Sequence, residues 1–556
     1  MNSGVAATRW RDCRRENFVW LFLLIAIYGG FTCAKLAGSD LSQDEGCFGI
    51  SALNIRADYH QLAMVGEQPA GPAATKPFLY PLFLSASIWV FGQNAFALRI
   101  VNVVALAVAS LFLYWSARSF LKDHILALLA FAFFLLNPGT ISYARTVTAD
   151  PFVVLWGCVG LCGAFKFYDE ECLHWAILCG VALGLAFLSK LWLAFPYALA
   201  CFVLFFAKFL TKKGLRFFAI PVLAFVIFLL VSSLHLLTVM ILTPHDLNHW
   251  LAIYFGISLG RRVAGGGFDP AMWYRPWWFY FAGVFKITFV AFPMILLGIP
   301  ALTKRRNAIL IAVVVALILP IFVLSLFRVK ETIYVFPVFP GLALLLALGL
   351  DYFFRSANRT EISVSTILST LVAAWFYEHD VFLQRELILI EALYLVYLVA
   401  GLASSHYSVL TRRAVAIALL LAMSFVGAMA VRRTLEHRTY YREIAVYFKN
   451  SLWSLPPGKV AFVSPEFGAV SFFTFRTGQY WQTYYSHEDD TVFEGDLIDR
   501  RQAFYVVDPS GELYGGQPSP GEWQALQEHA HEITPEVEAF IGHRIALRIF
   551  VPSGTR

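Results

Sequence analysis

The chain has 556 residues, of which 59% are hydrophobic, 16% aromatic and only 14% charged, with a formal net charge of +6. Soluble domains run at roughly 45–50% apolar and about 25% charged, so a water-soluble fold of this composition would lack the polar surface to cover itself. The excess arrives in blocks of about 20 residues, the length that crosses a hydrocarbon layer of roughly 30 Å. That excludes disordered, fibrous and nucleic-acid-binding readings of the whole chain and leaves a polytopic membrane protein.

In chain order, apolar blocks fall at 17–37, 95–118, 124–137, 150–167, 174–190, 192–208, 217–241, 276–301, 308–327, 332–350, 362–377, 386–403 and 413–430, which predicts 13 spans. The short third block and the tight break at Ser189-Lys190-Leu191 decide the parity of everything downstream. The positive-inside rule supplies the check. With Arg9, Arg11, Arg14 and Arg15 in the cytoplasm, the later cytoplasmic loops carry Lys122, Lys166, Lys208 to Arg216, Lys304 to Arg306, Arg355 with Arg359, and Arg412 with Arg413. An odd number of spans then exports everything after about 431. The first block is long and lacks a small-x-small cleavage site, so it reads as a retained anchor. The expected location is the inner (plasma) membrane.

Two long loops and a tail lie on the exported side. The loop at about 38–94 holds SQDEGCFGISALNIRADY and TKPFLYPLFLSASIWVFG, whose mixed periodicity suits helices lying at the interface. The loop at about 242–275 ends in MWYRPWWFYF, which fits an interfacial aromatic belt. Within it His245 and His249 flank Asp246 at the spacing of a metal corner, although polar capping in such a loop is the commoner origin. Past 431 the composition turns polar. TYYREIAVYFKNSL reads as an amphipathic helix, KVAFV, QAFYVVD and IALRIFV as short buried strands, and EFGAVSFFTFRTG and PEVEAF as helices between them. The expected architecture is an α-helical transmembrane domain over 1–431 and a small exported α/β domain over 432–556.

All eight cysteines lie within the first 201 residues, so the exported tail needs no disulfide framework, and Cys158 and Cys162 read as buried packing residues.

Charged groups near a bilayer are costly unless used, paired or solvated. Here they gather at the exported ends of spans: Asp44 and Glu45, Lys76, Arg145, Asp150, Lys190, Arg261 and Arg262, and Arg328, Lys330 and Glu331 before Tyr334. Singly each has a bland origin. Asp150 before Pro151 could cap a helix, and Lys190 could snorkel to headgroups. Together, cations beside an acidic pair at one face suit an anionic lipid headgroup and a reaction on it.

Asp44-Glu45, Thr75-Lys76-Pro77, the run from Arg145 to Pro151, Leu188-Ser189-Lys190 and the run from Lys330 to Pro340 occur in this order along the chain. In these motifs the chain resembles the GT-C class of polytopic glycosyltransferases, most of all the protein-mannosyltransferase-like bacterial branch that includes the aminoarabinose transferases of lipid A. It differs from those transferases at Thr75, at Gly46-Cys47 and at Phe78. The resemblance therefore carries the class rather than a named donor.

The resemblance implies inverting transfer of a sugar from a polyprenyl phosphate to a lipid, glycan or protein hydroxyl on the exported face. Asp44 would be the general base, with Glu45 and Asp150 the other acidic site residues. Asp150 would orient acceptor or cavity groups. Lys76 and Arg261 or Arg262 would hold the donor phosphate, and Lys190 and Tyr334 would line the cavity. Arg145 and Lys330 are possible accessory groups. No cofactor is required, since lysine and arginine can supply the charge; a divalent metal stays open, and membrane lipids are the surrounding partner. A transporter or flippase is the alternative, and predicts inverted repeats and charges near mid-span. A catalytically silent receptor would follow from loss of the acidic pair, which is present.

Overall fold

A computed structural model describes residues 3–38, 41–57, 77–212, 214–242, 275–304, 307–328, 332–355, 357–379 and 384–403. Further along it describes 441–452, 460–462, 504–507, 519–545 and 547–553, with isolated positions that include 330. The transmembrane part is built of helices: α1 (Ser3–Cys33), α2 (Gln43–Ala57), α3 (Leu79–Phe91), α4 (Ala95–Leu121), α5 (His124–Leu136), α6 (Pro138–Ala144), α7 (Asp150–Glu170), α8 (Leu173–Lys190), α9 (Phe195–Lys212), α10 (Leu215–Ser232) and α11 (Leu234–Leu242). There follow α12 (Phe279–Thr288), α13 (Phe292–Lys304), α14 (Ala308–Ser325), α15 (Phe339–Arg355), α16 (Arg359–Glu378) and α17 (Gln384–Ala403).

Among the described residues seven helical runs are long and apolar enough to cross a membrane, or eight if α5 and α6 count as one broken span. The block expected at 413–430 lies almost wholly outside the described residues. The 124–137 block is α5 alone, the 332–350 block opens as the 3-10 helix Thr332–Val338 before α15, and two further blocks are broken within their length. α5 and α6 bend by 54° at Asn137, whose side chain caps Gly139 N as Pro138 opens the new helix. The 217–241 block divides at Ser233 between α10 and α11, and the 276–301 block at the 3-10 turn Phe289–Ala291.

The helical run Leu173–Lys212 is 40 residues long, but its polar contacts show two antiparallel legs. Lys190, at the end of α8, pairs with Asp150 at the start of α7, while Lys208, near the end of α9, reaches Tyr168 O and Glu171 at the end of α7. The chain therefore reverses at Leu191–Ala194, the 3-10 turn after Lys190. Asparagine caps, the Asp123 cap, glycine crossings and tyrosine hydroxyls then hold the bundle. A Cβ on Gly349 would overlap Met294 O and one on Gly298 would overlap Leu345 O, so α13 and α15 meet backbone to backbone.

The C-terminal described residues form α18 (Tyr441–Leu452), β1 (Val460–Phe462), β2 (Phe504–Val507), α19 (Pro520–His529), β3 (Ala530–Glu532), α20 (Thr534–Ile541) and β4 (Arg548–Pro552). The sheet order is β1-β2-β4-β3, with β1 parallel to β2 and the other pairs antiparallel. Alternation sorts the strands: Phe504, Val506 and Ile549 pack with Ile444, Phe448 and Val537, while Tyr505, Val507 and Phe550 pack with Leu526. The expected helix EFGAVSFFTFRTG lies outside the described residues.

Candidate functional site

The segment after α1 returns to the bundle through a buried ion pair. Glu45, in the first turn of α2, is 3% exposed and accepts from Arg99 Nε at 2.9 Å and Arg99 Nη2 at 2.8 Å. The same carboxylate accepts from Ser42 N at 2.8 Å and Val147 N at 2.9 Å, and Arg99 also donates to Leu36 O at 3.1 Å. A two-pronged pair whose remaining lone pairs meet backbone N–H groups is the geometry in which a buried charge is best compensated. It ties α2, α4 and the connection after α6 into one unit. Asp44 stands in α2 next to Glu45; its side chain lies outside the described residues.

That connection, Arg145 to Ala149, has little secondary structure of its own and is held by side chains. Arg145 donates to Thr32 O at 2.7 Å and Ala34 O at 2.8 Å, so its guanidinium caps the C-terminal end of α1. Asn102 donates to Thr146 O at 2.6 Å and Thr148 O at 2.9 Å. The fixed connection delivers Asp150 to the N-terminus of α7, where a carboxylate is favoured by the helix dipole.

Asp150 is fully buried, and its Oδ2 takes Lys190 Nζ at 2.7 Å and the Thr148 hydroxyl. Lys190 is part-exposed and its ammonium stands 5.2 Å from the centre of the Tyr334 ring. The backbone beside it is strained: Leu191 has φ +46° and ψ −117°, a region that a side chain with a Cβ rarely adopts. Tyr143 stacks on Phe336 at 4.2 Å and closes the same end of the bundle. The structure thus brings Glu45, Arg145, Asp150, Lys190 and Tyr334 to one end of the molecule. Lys330 is 5% exposed and is spent on backbone, donating to Arg275 O at 3.0 Å and to Phe327 O. Burial pulls its ammonium below the usual lysine range.

Lys76, Arg261, Arg262, His245 and His249 lie outside the described residues. Among the described residues no three His, Cys, Asp or Glu side chains gather as a metal site. Sequence reasoning passed over Arg99, Asn102 and Thr148. The signal for the first two was present, since a charge and an amide three residues apart inside AFALRIVNVVAL share one helix face.

Residues 71–259 match the family described as dolichyl-phosphate-mannose-protein mannosyltransferase. The undecaprenyl phosphate-alpha-4-amino-4-deoxy-L-arabinose arabinosyl transferase of Pseudomonas aeruginosa is 29% identical over 294 residues, covering 50% of each chain. The Pectobacterium atrosepticum enzyme of the same name is 27% identical over 271 residues, covering 47% of this chain and 46% of its own. The chain thus spans about half the length of the curated relatives it matches. Among solved structures, ArnT from Cupriavidus metallidurans bound to undecaprenyl phosphate superposes with a TM-score of 0.66 at 15% identity, covering 96% of this chain and 97% of that one. The oligosaccharyltransferase AglB from Archaeoglobus fulgidus, in complex with an inhibitory peptide and a dolichol-phosphate, gives 0.57 at 13% identity, covering 93% of this chain and 73% of that one. The chain has the GT-C fold and is aminoarabinose-transferase-like, as its motifs indicate.

Proposed function

We propose that this GT-C-fold chain is an integral-membrane glycosyltransferase that moves a sugar from a polyprenyl phosphate to an acceptor hydroxyl on the exported face. The observation that supports the reading is the Asp150–Lys190 pair beside Tyr334, a compensated cation at the same end of the bundle as Glu45 and Arg145. Charges at span ends, rather than at mid-span, favour transfer over transport.

In this reading the chemistry is one displacement. The acceptor oxygen bonds to the anomeric carbon while its proton passes to Asp44, and the bond from that carbon to the phosphate oxygen breaks. Polyprenyl phosphate departs with the bonding electrons, and Lys76, Arg261 or Arg262, and Lys190 hold the charge it gains. The configuration at carbon inverts. Glu45, whose oxygens already accept four hydrogen bonds, is assigned to placing α2 and hence Asp44 rather than to taking the proton.

The remaining assignments follow the same reading: thirteen spans, a cytoplasmic N-terminus in the inner membrane, and an exported α/β domain after 431. The acceptor class is a lipid, a glycan or a protein hydroxyl. Deleting the gene in its host and profiling glycolipids and surface glycans by mass spectrometry tests the function. A loss equal to one sugar residue, restored by the wild-type chain, is expected; an unchanged glycan profile despite confirmed expression would overturn the reading.

A further inference from the structure

Three fully buried side chains from three elements surround Thr148, and each leaves a polar atom without a hydrogen bond: Tyr80 Oη from α3, Asn102 Oδ1 from α4 and Asp150 Oδ1 from α7. Thr148 is their shared neighbour. Its carbonyl accepts from Asn102 Nδ2 at 2.9 Å, its hydroxyl donates to Asp150 Oδ2, and the Tyr80 hydroxyl lies beside its backbone and beside the Asn102 side chain. Buried polar atoms are almost always paired, and a group of unpaired ones has a reason to persist.

Rotating the amide does not resolve the group. Asn102 Nδ2 serves two carbonyls, Thr146 O and Thr148 O, so a flipped amide would set oxygen against oxygen twice. Two acceptors, Asn102 Oδ1 and Asp150 Oδ1, therefore remain, and the Tyr80 hydroxyl supplies one proton to this group. A phenylalanine would fill the same space between Phe48 and Phe152 without bringing a hydroxyl into the core.

We propose that Tyr80 is a positioning residue of the transfer reaction, whose hydroxyl braces the Asn102 side chain and the Thr148 backbone and, through the Thr148 hydroxyl, the Asp150 carboxylate. The free Asp150 oxygen is then presented in one orientation while Lys190 keeps the other. The inference rests on the glycosyltransferase reading of this site.

The test compares wild-type protein with Tyr80→Phe, full length, in two assays. Purified protein is titrated with undecaprenyl phosphate and melted, and the glycan product is measured by mass spectrometry in the deletion strain rescued by each form. Tyr80→Phe is expected to keep its melting temperature or gain a little, to bind undecaprenyl phosphate within about twofold of wild type, and to lose at least tenfold in product. Unchanged product in Tyr80→Phe, with a working wild type, overturns the inference and leaves the function standing. Product, binding and melting temperature falling together assign Tyr80 to packing alone and also overturn it. Absence of product from the wild type removes the function and this inference with it.

Discussion

Glu45 and Arg99 bury two charges whose mutual geometry is good but whose separate costs are large. Arg99→Met leaves the Glu45 carboxylate uncompensated and should destabilise the protein by about 3–5 kcal/mol. The double variant with Glu45→Leu should recover part of that loss, as melting in detergent will show; an additive double variant would mean the two side chains do not act as a pair. Lys190→Met removes the cation beside Tyr334 and should weaken undecaprenyl phosphate binding about tenfold, or roughly 1.4 kcal/mol. Retained affinity would detach Lys190 from the donor site. At this scale the sequence marks Glu45, Asp150 and Lys190 by their place at span ends. Their partners are marked more weakly: Thr148 is an ordinary loop threonine, and Arg99 and Asn102 share one helix face but sit in a run whose average is apolar.

The helices are legible because lipid demands long apolar runs, and each described block contains a helix. Their interruptions are less so. Phe289–Ala291 lies between residues as apolar as itself, so composition gives no boundary there, while Ser232, Ser233 and His235 are too few polar residues to end the 217–241 block. The edge strand Ala530–Glu532 is three polar-rich residues whose pairing with β4 comes entirely from tertiary contact. Close helix crossings also depend on the partner. Gly349→Leu should prevent α13 and α15 from meeting and abolish the folded monodisperse species in size-exclusion chromatography. Gly283→Leu, where no atom of the surroundings lies within 4 Å of the place a Cβ would take, should be tolerated. At the opposite end of the bundle, Lys208, and then Lys212, hold the Glu171 carboxyl below its ordinary range. A depressed carboxyl stabilises the folded chain above its unfolded pKa, and that contribution disappears as pH falls through the lowered value. Glu171→Gln should flatten this acid-side fall in melting temperature; an unchanged pH profile would show that the contact adds no stability.

For the molecule as a whole, the fold places Glu45, Arg145, Asp150 and Lys190 at one end of the bundle and the Lys208–Glu171 contacts at the other. If the cytoplasmic N-terminus and thirteen spans are right, alkaline phosphatase fused after residue 556 is active and fused after Lys212 is inactive. The opposite pattern would reverse the proposed orientation. The class of fold was legible because five short motifs occur in one order, while the donor sugar was not, since the chain departs from the aminoarabinose transferases at Gly46-Cys47, Thr75 and Phe78.

The most direct test of exported-face sugar transfer is glycan mass spectrometry of the deletion strain rescued with Asp44→Asn at wild-type protein levels. The account predicts a folded protein that restores none of the missing sugar, because the acceptor proton has no carboxylate to receive it. Full restoration by Asp44→Asn would contradict the account at its catalytic centre.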